Sequence, residues 1–260
     1  MKPPRSLTSR RNKDYILPSN NEKADYVKRN FDEIAGGYDR FNDWITFGLH
    51  RIWKRKTARA TQISGGSADL VLDLCTGSGD IALQLHREFP EARIQAIDFS
   101  KGMLEVLKKR IKDHKLEKFI AIKKGDISNL DFIKNSSVNA VTMGFGLRNV
   151  SQREKVLKEI LRVLIPGGIY VNLDVGHVNV SLLAFFHKLY FEKVVPFIGF
   201  LLHGGKHEMY CYLPASARNY PDQIKLKKEL EKAGFRDVVI QNLMFGAAAI
   251  HVAKKPKRKK

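Results

Sequence analysis

The chain has 260 residues, 43% of them hydrophobic, and a formal net charge of +19. This length can bury the core of one large α/β domain with appendages. Two cysteines, Cys75 and Cys211, exclude a disulfide framework and a zinc site and fit a reducing cytoplasm, so we expect no metal.

The positive charge is concentrated at the two ends. Residues 1–13 contain five basic residues and no acid, and residues 254–260 contain six, so the ends supply 11 of the 19 charges. We expect a basic flexible N-terminus at 1–23, one domain at 24–253 and a basic tail at 254–260. Such ends are attracted to anionic lipid and to nucleic acid, or serve solubility alone. The N-terminus lacks the apolar core of a secretory signal, whereas an organellar transit peptide stays open.

The first predicted elements are helices within residues 24–62. They carry an unusual density of large apolar side chains ahead of the first strand, so we expect a helical cap. These side chains either contact a ligand or simply cover the domain core. They are Phe31, Ile34, Tyr38, Phe41, Trp44, Ile45, Phe47, Leu49, Ile52 and Trp53.

Residues 71–98 read as a strand, a glycine turn, a helix and a second strand that ends at Asp98. Gly77 and Gly79 allow the backbone to approach a ligand at a helix N-terminus. A carboxylate at the end of the second strand can accept hydrogen bonds from ribose hydroxyls. The segment therefore predicts a nucleoside site.

The glycine spacing alone does not identify the nucleoside, because residues 77–82 also fit the dinucleotide pattern G-x-G-x-x-A. Asp73 favours S-adenosylmethionine, since a carboxylate beside the turn repels a pyrophosphate but attracts ammonium and sulfonium groups. A dinucleotide and a turn without ligand are the alternatives. Cys75 occupies the position where the usual methyltransferase pattern has its first glycine.

Strand and helix patterns alternate along the rest of the chain, which predicts a mainly parallel sheet with helical crossovers. Apolar periodicity predicts helices at 102–112, 152–164 and 222–233. The last two strands are expected to form an antiparallel hairpin at the sheet edge. The predicted strands are 69–75, 93–98, 119–124, 138–144, 168–175, 237–243 and 247–253.

An insertion at 176–220 follows the fifth strand. Within it, residues 182–202 are mostly apolar and include five phenylalanines, but charged residues and a proline interrupt them, which argues against a transmembrane helix. A substrate lid or an interfacial helix suits such a segment better. A homodimer interface or plain core is the alternative.

Six further segments carry a common pattern: 31–43, 48–54, 145–150, 161–168, 210–216 and 221–223. The most specific pieces are Tyr-Asp-x-x-Asn in the first segment and Phe-Gly-Leu-Arg-Asn in the third. Together the segments resemble the ubiquinone/menaquinone biosynthesis C-methyltransferase family, whose order they follow over about residues 26–252. The resemblance implies a Rossmann-like class I methyltransferase fold and S-adenosylmethionine as cofactor.

The resemblance also implies roles for individual residues. Thr76 and the backbone of Gly77 and Gly79 would line the methionine part of the cofactor, and Asp98 would hold the ribose. The adenine edge would lie against Asp126 and Ile127. Gly144 stands where the family commonly has serine, so that contact comes from backbone or is missing. Tyr38 and Asn42 would cover the cofactor or contact the substrate.

The implied substrate is a polyprenylated demethylquinol, whose ring carbon becomes nucleophilic when a hydroxyl loses its proton. Arg148, followed by Asn149, would polarise the phenolate or orient a water that takes the proton. Its alternative role is a salt bridge to Asp73 or Asp174. His50 is the other candidate proton acceptor.

The insoluble prenyl tail of such a substrate suggests a cytoplasmic enzyme that rests on an anionic membrane surface. A nucleic-acid methyltransferase is the main rival, but the loop at 144–147 lacks its Asn/Asp-Pro-Pro-aromatic pattern, so we expect no nucleic acid. A quinone-biosynthesis scaffold without turnover is the other alternative.

Overall fold

The computed structural model describes residues 17–203 and 209–257. Of the predicted basic ends, residues 1–16 and 258–260 lie outside this part of the chain, as does the side chain of Cys211. Within the described residues, seven strands form one sheet in the order β3-β2-β1-β4-β5-β7-β6. The strands are β1 (Leu70–Leu74), β2 (Arg93–Asp98), β3 (Ile120–Lys124), β4 (Val138–Gly144), β5 (Leu164–Val175), β6 (Arg236–Leu243) and β7 (Ala248–Lys254).

Strands β1 to β5 are mutually parallel, whereas β7 runs antiparallel between β5 and β6. The predicted mainly parallel sheet with a C-terminal antiparallel hairpin is therefore confirmed. The strand boundaries agree with the prediction to within one residue except at the start of β5, which begins at Leu164 instead of residue 168. The Pro-Gly-Gly segment is absorbed as an irregularity in the β4–β5 register, where the pairing shifts between Val138 and Ala140.

Helices cover both faces of the sheet and one of its ends. They are α1 (Asn20–Ile34), α2 (Tyr38–Thr46), α3 (Leu49–Arg59), α4 (Asp80–Glu88), α5 (Lys101–Asp113), α6 (Arg153–Val163), α7 (Ser181–Leu189), α8 (Val195–His203), α9 (Met209–Arg218) and α10 (Gln223–Ala233). A π-helical turn, Tyr190–Val194, joins α7 to α8.

All three predicted helices, α5, α6 and α10, bury an apolar face, and two of them have a side-chain N-cap. Ser100 caps α5 by accepting a hydrogen bond from the backbone of Met103, and Asp222 caps α10 in the same way. One core layer packs α6 and α10 against the sheet, and a second packs α3, α4 and α5 against the opposite face. Apolar burial on both faces explains why the strands read as nearly continuous hydrophobic runs.

The N-terminal helices and the inserted helices meet where β4 ends. Both α1 and α9 contact the 3-10 turn Leu147–Asn149, and α2 packs against α8. The helical cap starts at Asn20, ahead of the expected residue 24. At the other end, Lys254 still belongs to β7, and Lys255 Nζ donates to the carbonyl oxygen of Leu164 at 2.6 Å. Across the described residues, no helix is both long and apolar enough to cross a membrane.

Candidate active site

The glycine turn between β1 and α4 is built on left-handed backbone. Gly77 has a φ of +57° and Gly79 a φ of +86°. A Cβ atom at Gly79 would lie 2.1 Å from Cδ1 of Leu107, so this position requires glycine for packing as well as conformation. The turn thereby brings α4 close to α5.

Asp98, at the end of β2, faces this turn. Its Oδ2 atom accepts the Gly77 N–H at 2.8 Å and its Oδ1 atom accepts the Ser100 N–H at 2.9 Å. Burial raises the pKa of the carboxyl, and these backbone N–H groups counteract the rise. Each oxygen retains a lone pair for a further donor, as a ribose hydroxyl would provide.

Asp73, on β1, is almost completely buried. Its two carboxylate oxygens accept hydrogen bonds from the hydroxyls of Thr76 at 2.6 Å and Thr142 at 2.7 Å. Burial raises its pKa to about 6 despite these bonds. The group is therefore mostly ionised at neutral pH and suits a cationic ligand.

These residues line a narrow cleft with an enclosed volume of about 60 Å³. Of the residues predicted to bind the cofactor, the cleft brings together Tyr38, Asp73, Thr76, Gly77, Asp98 and Gly144, with Asn149 beside them. The Asp73 carboxylate and a glycine backbone suit a nucleoside that carries a sulfonium and an ammonium group. The aromatic rings of Phe31 and Tyr38 enter the cleft from the helical cap.

Three predicted residues do not line this cleft. Gly79 acts through the turn geometry, as described above. The carboxylate of Asp126 accepts hydrogen bonds from the backbone and hydroxyl of Ser128, and Ile127 is part of the hydrophobic core. An adenine contact at these two positions stays a prediction.

A second cavity, of about 430 Å³, adjoins the cleft. Phe31, Tyr38 and Phe145 line both spaces and so form the boundary between them. Aromatic and aliphatic side chains from the cap, from α7 and from the loop after β6 make up most of its wall. They include Ile34, Phe41, Ile45, Leu49, Trp53, Leu183, Phe186, Tyr190, Phe191 and Phe245.

Arg148 is one of the few charged side chains on this second cavity, and it is buried. Its Nη1 atom lies 2.8 Å from Oδ1 of Asp174, and its backbone N–H donates to Oδ2 of the same carboxylate. Of the two salt bridges considered, the structure therefore contains the one to Asp174. Burial disfavours the guanidinium charge, but the carboxylate raises the pKa of Arg148 above its usual range. Neighbouring Asn149 accepts a hydrogen bond from the hydroxyl of Tyr212 at 3.0 Å.

His50 lines the same cavity from α3 and is buried. Its Nε2 atom lies 2.9 Å from Oδ1 of Asp43, a carboxylate that Arg51 also holds at 2.7 Å. Burial lowers the pKa of His50, and the Asp43 carboxylate opposes this effect. The two candidate proton-handling residues thus lie on the wall of one cavity.

A charged network that the sequence did not predict anchors the glycine turn to the cap. Ser78 donates to Asp39 at 2.6 Å, and Lys54 Nζ donates to Asp80 at 2.6 Å. Arg110 contacts both of these carboxylates. The partners are 26 to 71 residues apart in sequence. Local patterns carry no signal for such pairs.

The sheet order, the single antiparallel strand and the acid-lined glycine turn define a class I S-adenosylmethionine-dependent methyltransferase. A solved structure supports this fold assignment. A putative S-adenosylmethionine-dependent methyltransferase of Methanococcus maripaludis superposes with a TM-score of 0.62, at 19% identity, over 88% of this chain and 94% of its own.

The family follows from sequence comparison. Residues 19–255 match the model of the ubiE/COQ5 methyltransferase family, and the chain belongs to that family. A demethylmenaquinone methyltransferase of Leptospira interrogans is 44% identical over 94% of this chain and 98% of its own length. A ubiquinone/menaquinone biosynthesis C-methyltransferase of Methylococcus capsulatus is 38% identical over 88% of this chain and 92% of its own length. The predictions of a methyltransferase and of S-adenosylmethionine as its cofactor are confirmed.

Proposed function

We propose that this protein transfers a methyl group from S-adenosylmethionine to a ring carbon of a polyprenylated demethylquinol. The names of its relatives support such a substrate, and the relative at 44% identity favours a naphthoquinol ring. A benzoquinol ring is the second candidate, because the relative at 38% identity is named for both quinones.

The apolar cavity beside the cofactor cleft is the observation that carries this proposal. Its volume of about 430 Å³ and its aromatic wall suit a quinol ring with the start of its prenyl tail. The boundary at Phe31, Tyr38 and Phe145 would bring the ring next to the methyl donor. Nucleic-acid methylation, by contrast, needs an open and basic entrance to the site.

The polar residues of the site receive complementary roles. Asp73, Thr76, Asp98 and the Gly77 backbone would hold the donor. Arg148 would stabilise the developing phenolate, because its guanidinium keeps its charge and Asp174 fixes its position. Bound in the cleft, the sulfonium supplies the methyl group for an in-line displacement.

Methyl transfer to soluble substrate analogues tests the proposal directly. The purified chain is assayed with labelled S-adenosylmethionine and short-chain demethylnaphthoquinol or demethylbenzoquinol, both kept reduced. We expect labelled methylquinol with at least one ring. No transfer to either ring, with donor binding intact, would favour a scaffold role, and label on RNA or DNA would favour the rival enzyme class.

We further propose that the protein rests on an anionic membrane through its inserted helices. In α7, no residue is buried, and Phe185 is 63% exposed. Phe197 and Phe200 in α8 are 59% and 57% exposed. Leu183 and Phe186 of the same insertion line the cavity, so a prenyl tail could pass from the bilayer to the site. Basic groups at the chain ends would add attraction to anionic lipid.

Vesicle flotation tests this surface. Substituting Phe185, Phe197 and Phe200 with serine should weaken binding to phosphatidylglycerol vesicles and leave methylation of a short-chain quinol unchanged. Phe132, exposed at 42% on the β3 side of the fold, is the matched control. Removing residues 256–260, which leaves β7 and the Lys255 contact in place, measures the electrostatic contribution of the tail to vesicle binding. Unchanged flotation of the triple variant, together with a dimer in solution, would assign the face to a second copy of the chain.

A further inference from the structure

The geometry around His50 points to a proton acceptor for the substrate hydroxyl, and this inference rests on the proposed function. We propose that Nδ1 of His50 takes the hydroxyl proton and that Asp43 is the positioning residue that prepares it. Three observations support the pairing: the hydrogen bond between the two side chains, the place of His50 on the cavity wall, and an unpartnered ring nitrogen.

The hydrogen bond determines which ring nitrogen can act as a base. Asp43 Oδ1 lies 2.9 Å from His50 Nε2, and a carboxylate only accepts, so the proton of the neutral imidazole resides on Nε2. Nδ1 then carries the lone pair. This atom is buried and has no hydrogen-bond partner among the described residues.

The carboxylate is itself held in place. Arg51 donates to both oxygens of Asp43, each at 2.7 Å, from the solvent side. A bidentate contact of this kind fixes the plane of the carboxylate and therefore the orientation of the imidazole. Asp43 and Arg51 are both partly exposed, so their ion pair does not place a second buried charge beside His50.

The electrostatic surroundings keep His50 available as a base. Burial lowers its pKa, and the nearby Lys54 ammonium acts in the same direction. The charged groups that act on His50 are Lys54, Asp43 and Asp80, and Arg51 is bound to Asp43. Arg148, His187 and Tyr190 line the same cavity. Because its pKa is lowered below the usual value of a histidine, the imidazole of His50 is neutral near pH 7 and carries a lone pair that can accept a proton.

This assignment divides the chemistry between two residues. His50 accepts the hydroxyl proton, and the electron pair of that O–H bond moves into the ring. The ring carbon forms its bond to the methyl carbon as the methyl–sulfur bond breaks, with its electron pair going to sulfur. Arg148 stabilises the charge on oxygen. The methylated ring carbon then loses its hydrogen to solvent as a proton, and the C–H electron pair restores the aromatic ring and the negative charge on oxygen. His50 returns its proton to that oxygen, so each turnover releases one proton.

Chemical rescue tests the proposal. His50→Ala should lower kcat by about 10²–10⁴-fold near neutral pH, and added imidazole should restore part of the loss. The rate of this variant should rise with pH as more quinol ionises, while the rate of the unsubstituted protein levels off. His251→Ala is the matched control, since His251 is also buried and its Nδ1 atom has no hydrogen-bond partner within residues 17–203 and 209–257, but it lies outside the cavity. It should show no rescue.

A second measurement does not depend on turnover. NMR of ¹⁵N-labelled histidine should show protonated Nε2 and unprotonated Nδ1 for His50, and Asp43→Asn should shift that tautomer balance and lower kcat by about tenfold or more. A protonated Nδ1, or a His50→Ala variant within about threefold of full activity, would overturn the inference. If the unsubstituted protein methylates no quinol, the proposed function fails instead, whatever the tautomer.

Discussion

Replacing Asp73 with asparagine should separate the charge of this residue from its hydrogen bonds. The amide keeps the size of the carboxylate and can still pair with the hydroxyls of Thr76 and Thr142, which rotate freely between donating and accepting. The substitution therefore removes mainly the negative charge. A cationic donor should bind the variant about tenfold to a hundredfold more weakly near neutral pH, the equivalent of about 1–3 kcal/mol.

The pH dependence gives this prediction its sharpest form. The carboxyl has a pKa of about 6, so below that pH a growing fraction is protonated and cannot attract a sulfonium. Donor affinity of the unsubstituted protein should fall about tenfold from about pH 7 to about pH 5, whereas the asparagine variant should show no such change. Titration calorimetry measures the affinity of both proteins for S-adenosylmethionine and for S-adenosylhomocysteine. Because the sulfur of S-adenosylhomocysteine is uncharged, the affinity for this ligand should depend less on pH.

The Asp73→Asn substitution should raise the free energy of unfolding of the ligand-free protein while it lowers the affinity for the donor. Because folding raises the pKa of Asp73 from 3.8 to about 6, its favourable contribution is complete below 3.8 and is lost as the pH rises through 6. Near neutral pH the ligand-free variant should therefore be more stable than the unsubstituted protein, by at most about 3 kcal/mol. Equal stability together with pH-independent donor binding in the unsubstituted protein would refute the reasoning.

Two further substitutions test the geometry of the site. Gly79→Ala should cost about 2–5 kcal/mol of unfolding free energy in urea, because a left-handed backbone cost of about 1–2 kcal/mol adds to an overpacking cost of about 1–3 kcal/mol at Leu107. Gly77→Ala, with open space around its Cβ, should cost only the backbone part of about 1–2 kcal/mol. Equal losses would argue against the Leu107 contact. Arg148→Met and Asp174→Asn should each cost about 3–5 kcal/mol, and the double variant should cost clearly less than their sum, as measured by a double-mutant cycle. Additive losses would show that the two charges are not coupled.

The cofactor-binding part of the site could be predicted from the sequence because the residues that form it belong to one short segment. Gly77 and Gly79 mark a turn, and Asp73 and Asp98 lie on neighbouring parallel strands. Since parallel strands present their carboxyl ends at the same edge of a sheet, the two acids had to converge on that turn. The strand and helix periods likewise depend only on nearby residues, so the predicted sheet agrees closely with the observed one.

The apolar cavity proposed to bind the substrate could not be predicted from the sequence, because it depends on tertiary structure. The sequence placed Arg148 and His50 among the candidate catalytic residues but did not identify their partners. Both Asp73 and Asp174 were possible partners of Arg148, and the structure selects Asp174. The contact between Asp43 and His50 likewise appears only in the structure. The cavity wall joins the cap, the loop after β4, the insertion and the loop after β6. Segments so far apart in the chain meet only through packing, and periodicity and spacing carry no information about which distant side chains will touch. The sequence alone thus determined the fold and the methyl donor, and the folded chain decided the shape of the acceptor cavity and the partners of its charged groups.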